Sequence, residues 1–175
     1  HPMDFVQVNA DINRQLVKRA IRLLDLNKED RVLDLFCGLG NFTLAIARYC
    51  REVVGVEGND EMVKRGKENA LLNNISNAKF YRENLSKNIE NKPWLSLHFS
   101  KVLIDPPRSG AIEILKQIAN LQAERIIYIS CNPSTLARDL ERLEGYHIDD
   151  LRIVDMFPQT QHIETAVLLR PNPTH

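Results

Sequence analysis

Five short apolar runs punctuate this chain, and stretches of helical period separate them. The runs are Arg31 to Phe36, Glu52 to Glu57, Ala78 to Tyr81, Lys101 to Asp105 and Arg125 to Ile129. A short apolar run bounded by glycine, as at Val32 to Phe36, reads as a buried strand, and the other runs read as further strands, Ala78 to Tyr81 a short one. Between them, Asp11 to Leu26 places Ile12, Leu16, Ala20, Ile21 and Leu24 close to a helical period. Asn41 to Cys50, Asp60 to Asn73, Ile112 to Leu121 and Ser134 to Leu143 read as further helices, the second capped by Asn59 or Asp60. Asp4 to Asn9 reads as an extended lead-in, and Asn88 to Leu97, around Pro93-Trp94, as a polar loop. Two more strands are expected near Leu151 to Phe157 and Glu164 to Leu169. The stretch joining them has no room for a helix, so they should pair antiparallel. Alternation of strands and helices predicts an α/β, doubly wound, mostly parallel sheet of seven strands with an antiparallel C-terminal strand.

The first strand leads into Cys37-Gly38-Leu39-Gly40-Asn41. Two glycines let the chain turn sharply and approach a ligand, and the next helix aims its free N–H groups at that space. A dinucleotide fingerprint would carry a third glycine or alanine at position 43, where this chain has Thr43. Glu57 ends the second strand nineteen positions past Gly38, a spacing that suits ribose hydroxyls, although an ordinary exposed glutamate reads the same way. Adenosine without a pyrophosphate fits better than a dinucleotide, and S-adenosylmethionine is the leading candidate.

In a doubly wound sheet, ligands bind beyond the carboxyl ends of the strands. Besides Phe36 to Asn41 and Glu57, the polar groups there are Asn84, Asp105 and Cys131. Asn84 suits an adenine edge or a turn cap equally. Cys131 precedes a helix with Pro133 in its first turn, a place that favours a negative sulfur. A thiolate there is a nucleophile; a small buried hydrophobe is the alternative. Asp105 precedes Pro106-Pro107, which stiffen the loop, and then Arg108, which suits a phosphate, a base edge or plain solvent. Asp-Pro-Pro followed by an aromatic would point to an amino-methyltransferase, but Arg108 stands in the aromatic's place. Glu164, at the start of the last strand, suits a proton acceptor or an ordinary surface carboxylate.

Composition narrows this picture only slightly. The 175 residues predict one domain, able to bury about two-thirds of its unfolded surface. Hydrophobic residues make up 43% and charged ones 26%, ordinary for a soluble domain. The net charge of zero carries no global basic field for nucleic acid. No apolar run is long enough to span a bilayer and no signal peptide opens the chain, so no membrane partner is expected. Cys37, Cys50 and Cys131 are few, odd in number and far apart, which predicts reduced thiols and a cytoplasmic protein. Cysteines and histidines show no metal-ligand spacing. The chain opens at His1-Pro2 rather than methionine and reads as a C-terminal fragment.

Four segments carry a resemblance. FCGLGNF (Phe36 to Phe42), DPPRSG (Asp105 to Gly110), SCNPSTLARDL (Ser130 to Leu140) and FPQTQHIE (Phe157 to Glu164), with the lead-in FVQVN (Phe5 to Asn9), resemble the S-adenosylmethionine-dependent RNA 5-methyluridine methyltransferases. The likeness covers essentially the whole chain and looks closest to the bacterial enzymes acting on 23S ribosomal RNA, before the tRNA-modifying members. It implies a Rossmann-like seven-stranded methyltransferase fold and a mechanism. Cys131 would add to carbon 6 of uracil, carbon 5 would take the methyl group, and Glu164 would remove the carbon 5 proton. It also implies S-adenosylmethionine contacts from Gln7, Phe36, Asn41, Glu57, Asn84 and Asp105.

Full-length members of that family carry an N-terminal RNA-binding barrel and a central domain, and some hold an iron–sulfur cluster there. None of that is present here, so the neutral charge fits a chain whose RNA grip lies elsewhere. The expected partner is RNA, ribosomal before transfer, and the expected state is a monomer. An adenine or protein amino-methyltransferase, a non-catalytic nucleoside-binding module and, distantly, a dehydrogenase are the competing readings.

Overall fold

The computed structural model describes residues 2–87, 89–155 and 163–173; the side chains of 2–9, 12, 154, 155 and 163 are outside that description. Among them, seven strands form one sheet: β1 (Arg31–Leu35), β2 (Glu52–Glu57), β3 (Ala78–Arg82), β4 (Lys101–Ile104), β5 (Arg125–Ser130), β6 (Tyr146–Asp155) and β7 (Ile163–Pro171). Their order is β3-β2-β1-β4-β5-β7-β6. The first five run parallel, and β7 is antiparallel to both β5 and β6. This is the expected mixed sheet.

The helices are α1 (Pro2–Leu24), α2 (Asn41–Ala47), α3 (Asp60–Leu72), α4 (Leu115–Asn120) and α5 (Pro133–Arg142). Side chains alternate along each strand, so the apolar runs supply a core on each face, and Phe80 of β3 adds a smaller cluster with Cys37 and with Val63 and Ala70 of α3. Val32, Val53, Leu103 and Ile127 meet Leu16, Ala20 and Leu24 of α1 and Phe42 and Ile46 of α2. Leu33, Val54, Val102 and Ile126 meet Leu115 and Ile118 of α4 and Leu136 of α5 on the other face. Each such buried Val, Leu, Ile or Phe side chain contributes about 1.5–3 kcal/mol from apolar burial.

Three expectations change. The segment Asp4 to Asn9 is helical rather than extended, because α1 starts at Pro2. Pro suits a first helical position, and Phe5, Val8, Ile12 and Leu16 continue one helical period. Strand β6 begins at Tyr146, not near Leu151. It is one of the sheet's two edge strands, with β3 at the other end, so its start (Tyr-His-Ile-Asp-Asp) carries polar residues that the solvated side tolerates. The segment expected as a helix from Ile112 opens as a 3₁₀ turn, Ile112–Ile114, before α4. No described helix is long and apolar enough to cross a membrane.

Candidate active site

Five parallel strands release their chain ends at one edge, and β7 enters there. Reading across β2, β1, β4, β5 and β7, that edge carries Glu57, the Phe36–Gly40 turn, Asp105, Cys131 and Glu164. Ser130 of β5 faces Thr165 of β7, so the next step outward brings Cys131 towards Glu164.

On the β1–β2 flank, backbone geometry makes the site. Phe36 has φ 62, a conformation a bulky residue rarely holds, and Gly38 and Gly40 follow at φ 54 and 88. A Cβ built on Gly40 would lie 3.0 Å from the Phe80 ring, whereas one on Gly38 meets nothing within 4 Å. The turn is thus closed beneath Gly40 and open above Gly38. Glu57 ties the turn to β2: its Oε2 accepts the Gly38 N–H at 3.1 Å and its Oε1 the Asn59 N–H at 2.9 Å. Asn59 caps α3 by accepting from Glu61 and Met62.

Beneath the turn, Asp34 is fully buried. The Thr43 hydroxyl donates to its Oδ2 at 2.5 Å. Burial pushes the Asp34 carboxyl up to about 7, with Asp105 and Glu57 adding repulsion against the hydrogen bonds from Thr43. Thr43 stands at the place of the third fingerprint glycine and fits there by pairing with Asp34, its hydroxyl packed against Gly55 of β2, where a Cβ would lie 3.1 Å away. A lone aspartate within an apolar run and a threonine nine residues later were the available signal.

On the β4–β5–β7 flank, side chains make the site. Burial pushes the Asp105 carboxyl up to about 7, and Glu164 adds to it. The half-buried Cys131 thiol is also raised, by burial first and then by Glu164 and Asp105, while Arg108 pulls it down. The expectation that the helix start lowers this thiol is therefore corrected. Cys131 precedes the cap residue Asn132, whose side chain already accepts the Ser134 N–H. The cation that favours the thiolate comes from the neighbouring loop instead: Arg108. Glu57, Asp34, Asp105, Glu164 and Cys131 thus share one electrostatic field spanning both flanks.

The other candidates divide. Asn41 and Asn13 exchange a reciprocal pair of amide hydrogen bonds at 2.9 and 3.0 Å, joining α2 to α1. Asn84 lies just past β3, where its Oδ1 accepts the Ser86 N–H and closes a turn. Gln7 lies on the first turns of α1, and its side chain is outside the described residues, as are Gln161 and His162. Among the described residues, no cluster of His, Cys, Asp and Glu could hold a metal ion. The three cysteines are free, and burial raises Cys50 to about 11 and Cys37 above its usual range.

The family described as tRNA (uracil-5-)-methyltransferase matches residues 2–172. A 23S rRNA (uracil(1939)-C(5))-methyltransferase RlmD of Legionella pneumophila (strain Lens) is 53% identical over 173 residues, 97% of this chain and 39% of that protein. Its counterpart from Photobacterium profundum is 50% identical over 95% of this chain and 36% of its own length. The chain thus spans under two-fifths of these curated relatives. Among solved structures, a Pyrococcus abyssi tRNA (uracil-54, C5)-methyltransferase in complex with S-adenosyl-L-homocysteine superposes with TM-score 0.75. It is 30% identical and covers 90% of this chain and 38% of that one. TrmN from Thermus thermophilus, at 21% identity and TM-score 0.74, shares the fold.

Proposed function

The chain belongs to the tRNA (uracil-5-)-methyltransferase family, and on that premise we propose that the intact protein methylates carbon 5 of a uridine in RNA, through a covalent bond to Cys131. The observation that carries this reading is the convergence of Cys131, Glu164 and Asp105 on the strand edge that also holds the glycine turn.

The residues at that edge fit S-adenosylmethionine. The space above Gly38 admits a ligand against the backbone. Each Glu57 oxygen accepts one N–H and keeps a second lone pair for a ribose hydroxyl. Asp34, Asp105, Glu57 and Glu164 give the edge a negative character that suits a sulfonium. Phe36, Glu57 and Asp105 would hold the cofactor, with Gln7, Asn41 and Asn84 as its further contacts. When bound, S-adenosylmethionine supplies an electrophilic methyl group.

The chain's own residues do the rest. Arg108 stabilises the Cys131 thiolate, which adds to carbon 6 of the uracil. The electron pair of the 5,6 double bond moves towards the ring carbonyl, and carbon 5 becomes nucleophilic enough to take a methyl group. Glu164 then removes the carbon 5 proton, the double bond reforms and the carbon–sulfur bond breaks. A uridine must leave its stack to reach this edge.

Identity of 50–53% to the 23S rRNA enzymes favours ribosomal RNA as substrate. The family's description favours transfer RNA as the second reading. Full-length protein given RNA labelled with tritium at carbon 5 of uridine should release tritium in step with methylation. Methylation without tritium release would place the methyl group elsewhere and overturn the reading. Mapping 5-methyluridine in RNA from cells lacking the gene separates the two substrates.

A further inference from the structure

The Asp105–Gly110 loop and the residue after it are pinned to α5 and its cap. The Arg108 carbonyl accepts from Asn132 Nδ2 at 3.1 Å and Thr135 Oγ1 at 3.0 Å. The Ser109 carbonyl accepts from Arg138 Nη2 at 2.8 Å. The Ala111 N–H donates to Asp139 Oδ2 at 2.7 Å. Asp139 is the hub. It is 0% exposed. Its Oδ2 also accepts the Tyr128 hydroxyl at 2.5 Å, and its Oδ1 accepts two donors of Arg138 at 2.9 and 2.6 Å. One buried carboxylate therefore binds the loop after β4, a β5 side chain and the guanidinium that itself holds the loop.

Gly110 shows how close this fit is. Its φ is +83, and a Cβ there would lie 2.5 Å from both Arg138 Nη2 and Asp139 Oδ2. Burying an unpaired carboxylate is costly, and this one is fully engaged. A carboxylate needed only to cap α5 would sit near the helix start, not in its seventh position.

We propose that Asp139 is a positioning residue for the reaction: through the Ala111 amide, Tyr128 and Arg138 it locks the Asp105–Gly110 loop so that Arg108 faces the Cys131 thiol. Asp139 touches neither substrate nor cofactor and acts through Arg108. This inference rests on Cys131 being the nucleophile, but its test reads the thiol rather than the product. Loss of methyl transfer for another reason would leave the alkylation result standing. Among the described residues, the charged groups facing that thiol are Glu164 from β7 and Asp105 and Arg108 from the β4 loop.

The test is the pH profile of Cys131 alkylation by iodoacetamide in the full chain, followed on the Cys131 peptide by mass spectrometry. The buried Cys37 and Cys50 serve as internal references. Asp139→Asn keeps the volume but replaces acceptors with a donor. It should move the Cys131 profile to higher pH and slow alkylation near neutrality about tenfold, the size of losing one nearby opposite charge. Arg108→Gln should do the same, and the double variant should go no further than Arg108→Gln alone. Tyr128→Phe, which removes one hydrogen bond and spares the charge, should shift the profile in the same direction by less. It carries the test if Asp139→Asn does not fold. A profile unchanged in Tyr128→Phe, or shifts that add in the double variant, would overturn the proposal and leave Asp139 a purely structural anchor.

Discussion

The two flanks of the strand edge reach a reactive geometry by different means. On the β1–β2 flank the backbone does the shaping: a strained Phe36, two glycines with positive φ and a glutamate held by two N–H groups. On the β4–β5–β7 flank the shape comes from side chains that stitch the backbone together, with α5 gripping the Asp105–Gly110 loop. A backbone-built cradle tolerates changes in the side chains above it. A side-chain-built one transmits each change to the thiol.

Substitutions can pull these flanks apart. The largest effect belongs to Cys131→Ala in the full-length protein, which should cut turnover on the order of ten-thousand-fold. S-adenosylmethionine binding, measured by calorimetry, should stay unchanged. Weakened binding of similar scale would mean that the flanks are one unit. Glu164→Gln should slow proton removal about a thousandfold. Because the adduct forms before that step, an RNA-linked protein band should accumulate. Its absence would move the base elsewhere.

Thr43→Val strikes the other flank. It strips the hydroxyl donor from buried Asp34 and should cost about 1–3 kcal/mol in denaturant unfolding. The Cys131 alkylation rate should be spared, and a change in it would join the flanks through Asp34.

The smallest effect is the pH dependence that couples them. Asp34 and Asp105 sit at about 7 in the folded chain against an ordinary 3.8. A raised carboxyl stabilises the fold while protonated, so that contribution is full below 3.8 and is lost as pH rises through about 7. The ligand-free chain should therefore unfold more readily across that window. A cationic ligand prefers the ionised pair. S-adenosylmethionine should therefore gain on neutral-sulfur S-adenosylhomocysteine by roughly three- to tenfold as pH rises through neutrality. A flat ratio by calorimetry would separate the carboxylates from the sulfonium.

The same contrast explains what the sequence disclosed. Buried parallel strands have to be apolar and sharp turns require glycine, so β1, β2, β4 and β5 and the Cys37–Asn41 turn stand out in one dimension, while the edge strand β3 buries only Phe80. The β6–β7 pairing follows from a connection too short for a helix. The side-chain network leaves no such trace. Asp139 falls among charged residues at helical spacing and looks solvated, yet it is fully buried. Arg108 reads as a surface cation until α5 brings its loop beside Cys131. The start of α1 is hidden in the sequence although Phe5 and Val8 continue its period, because polar neighbours obscure it. Edge strand β6 reads short because its first residues need not be apolar.

The central claim is that Cys131 attacks a uracil beside a methyl donor and Glu164 completes the reaction. Intact-mass analysis of the full-length protein with S-adenosylmethionine and RNA carrying 5-fluorouridine, which has no carbon 5 proton to lose, tests it most directly. The account predicts a stable protein–RNA adduct, methylated and attached at Cys131, that vanishes in Cys131→Ala and persists in Glu164→Gln. An adduct still formed by Cys131→Ala, or methylated RNA released from the wild type with no adduct at all, would contradict it.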